Sequence, residues 1–330
     1  MSRYRFSAFG KMLAFLTVIG LIPAIVPASA RAAAFPQKGK SIQMIVGYAP
    51  GGSSDTGSRI LASGLEKELG IPVVVVNKPG ASGQIGLTAL ATAKPDGYTI
   101  GTTTFPIAVV SCLVSERKAS YTRSSFQPLA LQINDPNLIA VKADSRFKTL
   151  KDIVEAAKAK PKTITIASGM LVDDQFAILQ FQKLAGIQFA QVNFPQGTSQ
   201  AVTPLLGGKI DLFCGNVGDL MGPYKSGSVR ILGIMDDEPS PFYPGVKTFE
   251  EQGYKIYNSS SRGFSLPAGT PKEIVDILSA AVKKVISSEE HKKRTADMAL
   301  TVKYMDPVAY AKYWEEYESL IKELMPLTKE

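Results

Sequence analysis

The chain has 330 residues, 45% hydrophobic and 20% charged, with 37 Lys and Arg against 29 Asp and Glu for a formal net charge of +8. Such apolar content excludes a disordered chain, and the length exceeds one ordinary core, so two lobes with a cleft between them are expected. The excess charge is scattered, and Lys283-Lys284 and Lys292-Lys293-Arg294 read as solvated helix faces, which excludes a basic nucleic-acid-binding stripe.

Residues 1–34 read as a secretory signal peptide. Arg3, Arg5 and Lys11 precede an apolar run over 12–26, and Ala28-Ser29-Ala30 and Ala32-Ala33-Ala34 follow it. At about 15 residues that run is short of the roughly 20 a membrane helix needs, and no later run is longer or cleaner. A soluble exported protein cut after Ala30 or Ala34 is expected. Four of the basic residues precede that second cut and no acid precedes Asp55, so about +4 remains, a mild attraction for anions.

Beyond the leader, short β-rich runs alternate with helical patterns. Ile42–Val46 is followed by a helix over 58–69, 73–76 by 85–93, and 99–102 by a further apolar segment. The rhythm predicts a parallel sheet and an α/β fold. It resumes with strands at 138–141, 164–167, 189–192, 210–214 and 231–234 and helices at 150–159, 174–184 and 200–206. Polar, turn-forming residues at Asn134-Asp135-Pro136 and at 257–261 mark two crossings between lobes, and an all-helical block over 271–324 closes the chain. The predicted organisation is residues 35–134 in lobe one, 135–257 in lobe two and 258–330 back on lobe one. Cys112 and Cys214 then fall in different lobes and are expected as buried free thiols. Trp314, in the last helix, should lie remote from the cleft.

Tyr48-Ala49-Pro50-Gly51-Gly52-Ser53-Ser54-Asp55 follows a strand and opens a helix. Glycines at such a place let backbone N–H groups face a ligand, and a helix N-terminus offers unsatisfied donors with a positive dipole end. Ser53 and Ser54 add hydroxyls, and Asp55 is read as a cap. Taken alone the segment is equally a plain glycine-rich turn. A second turn, Asn77-Lys78-Pro79-Gly80-Ala81-Ser82-Gly83-Gln84-Ile85-Gly86, follows the adjacent strand. Two strand-to-helix turns at one sheet edge converge on the crevice where open α/β sheets hold ligands. Positive φ is expected at Gly52 and Gly83, with valine at either abolishing binding. Lys78 is either a partner for an anion or a solvated lysine.

Catalytic machinery is thin. His291 is the only histidine and sits in a lysine-rich helical segment, where a surface role is expected. There is no Gly-x-Ser-x-Gly elbow, His-Glu-x-x-His or Cys-x-x-Cys, so a hydrolase or lyase is a minor alternative and no metal or cofactor is required.

The segments at 48–55 and 77–86, with Pro95-Asp96-Gly97-Tyr98-Thr99, Leu205-Leu206-Gly207-Gly208-Lys209-Ile210-Asp211-Leu212 and Pro267-Ala268-Gly269-Thr270-Pro271, resemble in order the Bug-type periplasmic receptors of tripartite tricarboxylate transporters. The likeness covers essentially the whole mature chain. It implies a two-lobed periplasmic-binding-protein fold of type II, with an interlobe cleft and the C-terminal helices on lobe one. It implies a non-enzymatic, monomeric receptor that closes on a small carboxylate, a di- or tricarboxylate or an aromatic acid, and delivers it to membrane permease subunits. A receptor feeding a sensor kinase is the alternative. Tyr48, Gly51, Gly52, Ser53 and Ser54 with Gly80, Ala81, Ser82 and Gly83 would grip the proximal carboxylate, above a floor of Thr103 and Thr104. The far wall, at strand ends of lobe two, would bring Ser168, Gly169 and Met170, then Gln196, Gly197 and Thr198, then Asn216. Where the family commonly has Tyr-Lys-Gly and Trp-Tyr-Gly-like stretches this chain has Phe194-Pro195-Gln196-Gly197 and Ser261-Arg262-Gly263-Phe264, so the ligand is not carried over. Arg262 is either a bidentate clamp for a distal carboxylate or an exposed hinge arginine.

Overall fold

Runs rich in Val, Ile and Thr, whose branched side chains suit a pleated, half-buried surface, supply most of the ten strands among the described residues. The computed structural model describes residues 35–194 and 198–329. The signal-peptide reading, its cleavage point, and Gln196 and Gly197 lie outside the described residues. The strands are β1 Ile42–Val46, β2 Val73–Asn77, β3 Thr99–Thr104, β4 Phe126–Lys142, β5 Thr165–Ser168, β6 Ala190–Asn193, β7 Leu212–Asn216, β8 Val229–Ile234, β9 Ser259–Pro267 and β10 Thr301–Met305. Ten helices accompany them among the described residues: α1 Ser53–Leu69, α2 Gln84–Ala91, α3 Ile107–Leu113, α4 Leu150–Ala159, α5 Asp173–Ala185, α6 Val202–Leu206, α7 Met221–Lys225, α8 Lys272–Ile286, α9 Glu289–Ala296 and α10 Pro307–Leu324. None of the described helices is long and apolar enough to cross a membrane.

The strands line up as β2-β1-β3-β9-β4-β7-β5-β6, with β8 and β10 also paired to β4. The βαβ rhythm yields parallel pairs at each end, β1 with β2 and β3, and β5 with β6 and β7. Between them β4 and β9 run antiparallel, in a register that matches Asn134 with Ser261, Asp135 with Ser260 and Pro136 with Ser259. Asn134-Asp135-Pro136 and, of the second segment, residues 259–261 are therefore strand and not turn. Their side chains satisfy one another, Ser261 Oγ donating to Asn134 Oδ1 at 3.2 Å, so a strand can carry them without orphaned groups at those atoms.

Among the described residues four apolar clusters fill the layers. Near β1 and β3, Ile42, Leu61, Leu65 and Ile100 pack with Leu278 and Val282 of α8. Beside them Phe105 packs against Tyr310, Trp314 and Tyr317 of α10. At the other end Phe181, Ile166, Leu212 and Phe249 form one cluster, and Leu138, Phe213, Leu205 and Tyr243 another. The C-terminal block is not all helical, because β10 pairs antiparallel with β4 at Thr301 opposite Asn134. Thr301-Val302-Lys303-Tyr304-Met305 has the β-branched and aromatic content of a strand, and it covers an edge of β4 that would otherwise expose its backbone.

Three further expectations are corrected. His291 is 2% exposed and not a surface residue, its ring within 3.1 Å of Gln132 Nε2. Burial there holds its pKa down at about 4. Cys214 is buried as expected, but Cys112 is exposed; both are free. Trp314 is not remote from the strand ends, since its ring meets that of Phe105 edge-on with centroids 5.2 Å apart.

Candidate functional site

The turn after β1 owes its shape to Asp55. This carboxylate, 2% exposed, accepts the N–H of Gly51 at 2.9 Å, Nε of Arg59 at 3.0 Å and Nδ2 of Asn77 at 2.8 Å. Burial would push its pKa up, but the bonds from Arg59, Gly51 and Asn77 outweigh that and hold it at about 2. One acid thus ties the first turn to the end of β2, where the second turn begins. At the first turn positive φ belongs to Gly51, +87°, whereas Gly52 has φ −72° as the N-cap of α1, so the expectation for Gly52 was one residue late.

In the second turn four successive residues have positive φ: Gly80 at +130°, Ala81 at +46°, Ser82 at +57° and Gly83 at +100°. Non-glycine residues held there cost of the order of 1–3 kcal/mol each and cluster at binding sites. The turn is pressed onto β1 by two glycines. A Cβ on Gly86 would lie 2.6 Å from Gly47 Cα, so only glycine permits this approach of backbone to backbone.

These turns open on a cavity of about 430 Å³. Tyr48, Gly52, Ser53, Ser54, Ser82 and Thr104 line it together with Phe105, Pro106 and Ile107. Val172 and Asp173 at the start of α5, with Ser260 and Arg262 of β9, complete the lining. Tyr48 Oη lies 2.5 Å from Thr104 Oγ1, and burial raises the phenol's pKa, so it stays a neutral hydrogen-bonding group. Larger cavities of about 930 and 470 Å³ lie elsewhere and contain none of the predicted binding residues.

Six predicted residues therefore line one cavity: Tyr48, Gly52, Ser53, Ser54, Ser82 and Thr104. Gly51, Gly80, Ala81 and Gly83 shape the turns beside it. Thr103 does not reach it; it is fully buried, its hydroxyl bonded to Tyr310 Oη at 2.6 Å and Ser265 Oγ at 3.1 Å. The far wall differs most from expectation. Ser168 is 2% exposed and donates to the carbonyl of Gly169, whose own N–H is taken by Asp174. Met170 is exposed, Thr198 is buried beside Asp174, and none of these four residues lines the cavity. Asn216 stands behind the lining and acts through Asp173, to which its Nδ2 donates at 2.9 Å.

Asp173, Ser260 and Asp135 were missed. Asp173 lies one residue ahead of the helix expected over 174–184, and only the fold brings it into one lining with the turns after β1 and β2. Its Oδ2 also accepts from Asn137 Nδ2 at 2.9 Å. Arg262 is not an exposed hinge residue; its side chain is 14% exposed and Nη2 lies 3.4 Å from Oδ2 of Asp135, itself 6% exposed. Burial lifts Asp135 to about 7, with Arg262 pulling down and the charges of Asp219 and Asp173 pushing up. Burial also raises Asp173, opposed by the amides of Asn216 and Asn137, and lifts Asp174 to about 7 with Asp173 adding to the shift. No group of three or more His, Cys, Asp or Glu is placed to hold a metal ion among the described residues.

The family described as tripartite tricarboxylate transporter family receptor matches residues 58–325. Protein BugT of Bordetella pertussis is 29% identical over 282 residues, covering 84% of this chain and 86% of that one. The crystal structure of a TctC solute binding protein from Polaromonas superposes with a TM-score of 0.81 at 26% identity, covering 89% of this chain and 99% of that one. MatC from Rhodopseudomonas palustris, solved with bound malate, has a TM-score of 0.68 at 25% identity and covers 87% and 99%.

Proposed function

Since the chain belongs to the receptor family of tripartite tricarboxylate transporters, we propose that it captures a small organic carboxylate in the periplasm and hands it unchanged to the permease subunits of such an importer. The observation that carries this reading is the cavity at 48–54, 82 and 104, where uncharged donors and the positive end of a 17-residue helix face one volume of about 430 Å³. Gly52 at the N-cap has no side chain to cap α1, which leaves first-turn N–H groups for a carboxylate. The malate held by MatC is of the same chemical class.

In this reading residues 35–134 and 258–330 form one lobe and 135–257 the other, with β4 and β9 as the crossing strands. Ligand drives closure only in so far as it binds the closed form better than the open one. Micromolar affinity requires about 8 kcal/mol, and charge-assisted hydrogen bonds contribute about 1.5–3 kcal/mol each. A few aligned donors are enough, with no cofactor, and the protein acts as a monomer.

Thermal unfolding of purified protein, stripped of carried-over ligand by partial unfolding, tests this against carboxylates, sugars and phosphates. A carboxylate at 100 times its Kd should add about 2.7 kcal/mol of stability and be recovered unchanged. Stabilisation by sugars or phosphates alone would overturn the reading.

A further inference from the structure

The cavity of about 470 Å³ shares no lining residue with the candidate site, although both are walled by β9. Ser259 lines the former, and Ser260 and Arg262 the latter, as successive side chains of a strand point to opposite faces. In this second cavity Lys303 of β10 reaches the end of β8, its Nζ donating to Asp237 Oδ1 at 2.6 Å and to Asp236 Oδ1 at 3.3 Å. The pairing of β10 with β4 shifts register between Val302 and Met305, so Lys303 stands in an irregularity of the kind that re-aims a side chain. Asp236, its side chain 12% exposed, carries the contact inward. Its Oδ2 accepts from Asn134 Nδ2 at 3.2 Å, Asn134 Oδ1 accepts from Ser261 Oγ at 3.2 Å, and Ser261 Oγ lies 2.7 Å from Tyr313 Oη. One polar chain thus joins β10, β8, β4, β9 and α10 on the face turned away from the candidate site.

We propose that Lys303 is a latch between the two lobes, set behind the crossing strands, that holds the cleft open until a ligand closes it. This rests on the two lobes proposed above, in which Lys303 belongs to the segment 258–330 of one and Asp236 and Asp237 to the other. A rotation about β4 and β9 that narrows the cleft must widen the opposite face, and there it draws Nζ away from both carboxylates. Burial decides which ion pair resists this. Lys183 of α5 also pairs with Glu323 of α10, but both side chains are more than half exposed, where such pairs are weak. Asp236 is largely out of water, and its bond from Lys303 joins two charged groups. A latch of this strength biases the balance between open and closed forms without fixing it, so ligand can still overcome it.

The test needs no ligand, so its outcome is separate from the identity of the carboxylate. Ser53→Cys and Val172→Cys, at positions that line the candidate site from opposite lobes in this reading, are introduced together with Cys112→Ser. A disulfide forms only when the two Cα atoms come within about 7 Å, so its rate of formation under a fixed oxidant counts closures of the stripped protein. Lys303→Met should raise that rate about 3- to 10-fold, and Lys303→Arg, which keeps the charge, should return it to that of the parent. Asp237→Asn should raise it as well, and it decides the matter should Lys303→Met not fold. An unchanged rate in Lys303→Met and Asp237→Asn, or a rise that Lys303→Arg does not reverse, would overturn the latch and leave closure standing. No cross-link in any variant would instead overturn closure about β4 and β9, and the latch with it.

Discussion

Gly52 and Gly83 look alike in sequence but do different work, and valine at each should separate them. Gly52 has an ordinary φ, and a Cβ there would meet only Ala49 O at 3.7 Å, the remaining space being the cavity. Gly52→Val should therefore melt as wild type does while affinity falls by about 100-fold or more, because the side chain occupies the place of the ligand carboxylate. Gly83 has φ +100°, and its Cβ would come within 3.2 Å of the Tyr48 ring. Gly83→Val should cost about 1–3 kcal/mol of stability as well as affinity. Paired melts and titrations distinguish the two; a destabilised Gly52→Val would show that this turn has less room than its geometry implies.

The elements that build the site are held by Asp55, which couples the β1–α1 turn to β2. Its pKa is depressed in the folded state from 3.8 to about 2, so its contribution is fully present above about pH 4 and is lost as pH falls through 2. Asp55→Asn should lower stability at neutral pH by about 1–3 kcal/mol and flatten the loss between pH 4 and 2. Denaturant melts at pH 7 and at pH 3 check this; equal pH sensitivity in variant and wild type would place the acid-labile contact elsewhere. Arg59, half-exposed, contributes less than the buried bonds to Gly51 and Asn77.

Across the whole molecule, the cavity lining and the C-terminal helix share Phe105. Phe105 belongs to the cavity lining, and its ring meets those of Tyr310, Tyr313, Trp314 and Tyr317. Trp314 is the single tryptophan, so its emission should respond when ligand fills the cavity. Titration with a ligand whose binding is independently measured by calorimetry tests this. Heat without any fluorescence change would mean that Phe105 and its neighbours do not adjust on binding.

The α/β class and the position of the glycine-rich turns were legible because they depend on local rules. Alternation of β-branched runs with amphipathic segments sets the layers, and glycine and serine after a strand set the turn, whatever lies across the cleft. The motif likeness, which pointed to the family, was local in the same sense. What the tertiary structure decided was everything set by residues distant in sequence. Asn134-Asp135-Pro136 is strand because β9 arrives from more than a hundred residues away to pair with it. Thr103 is spent on Tyr310, and His291 is buried beside Gln132. Arg262 is drawn inward by Asp135, and Asp173 becomes part of the lining only once the start of α5 shares one cavity with the start of α1. A carboxylate has no address in a sequence beyond its neighbours; burial and the sign of the charge facing it are properties of the folded chain.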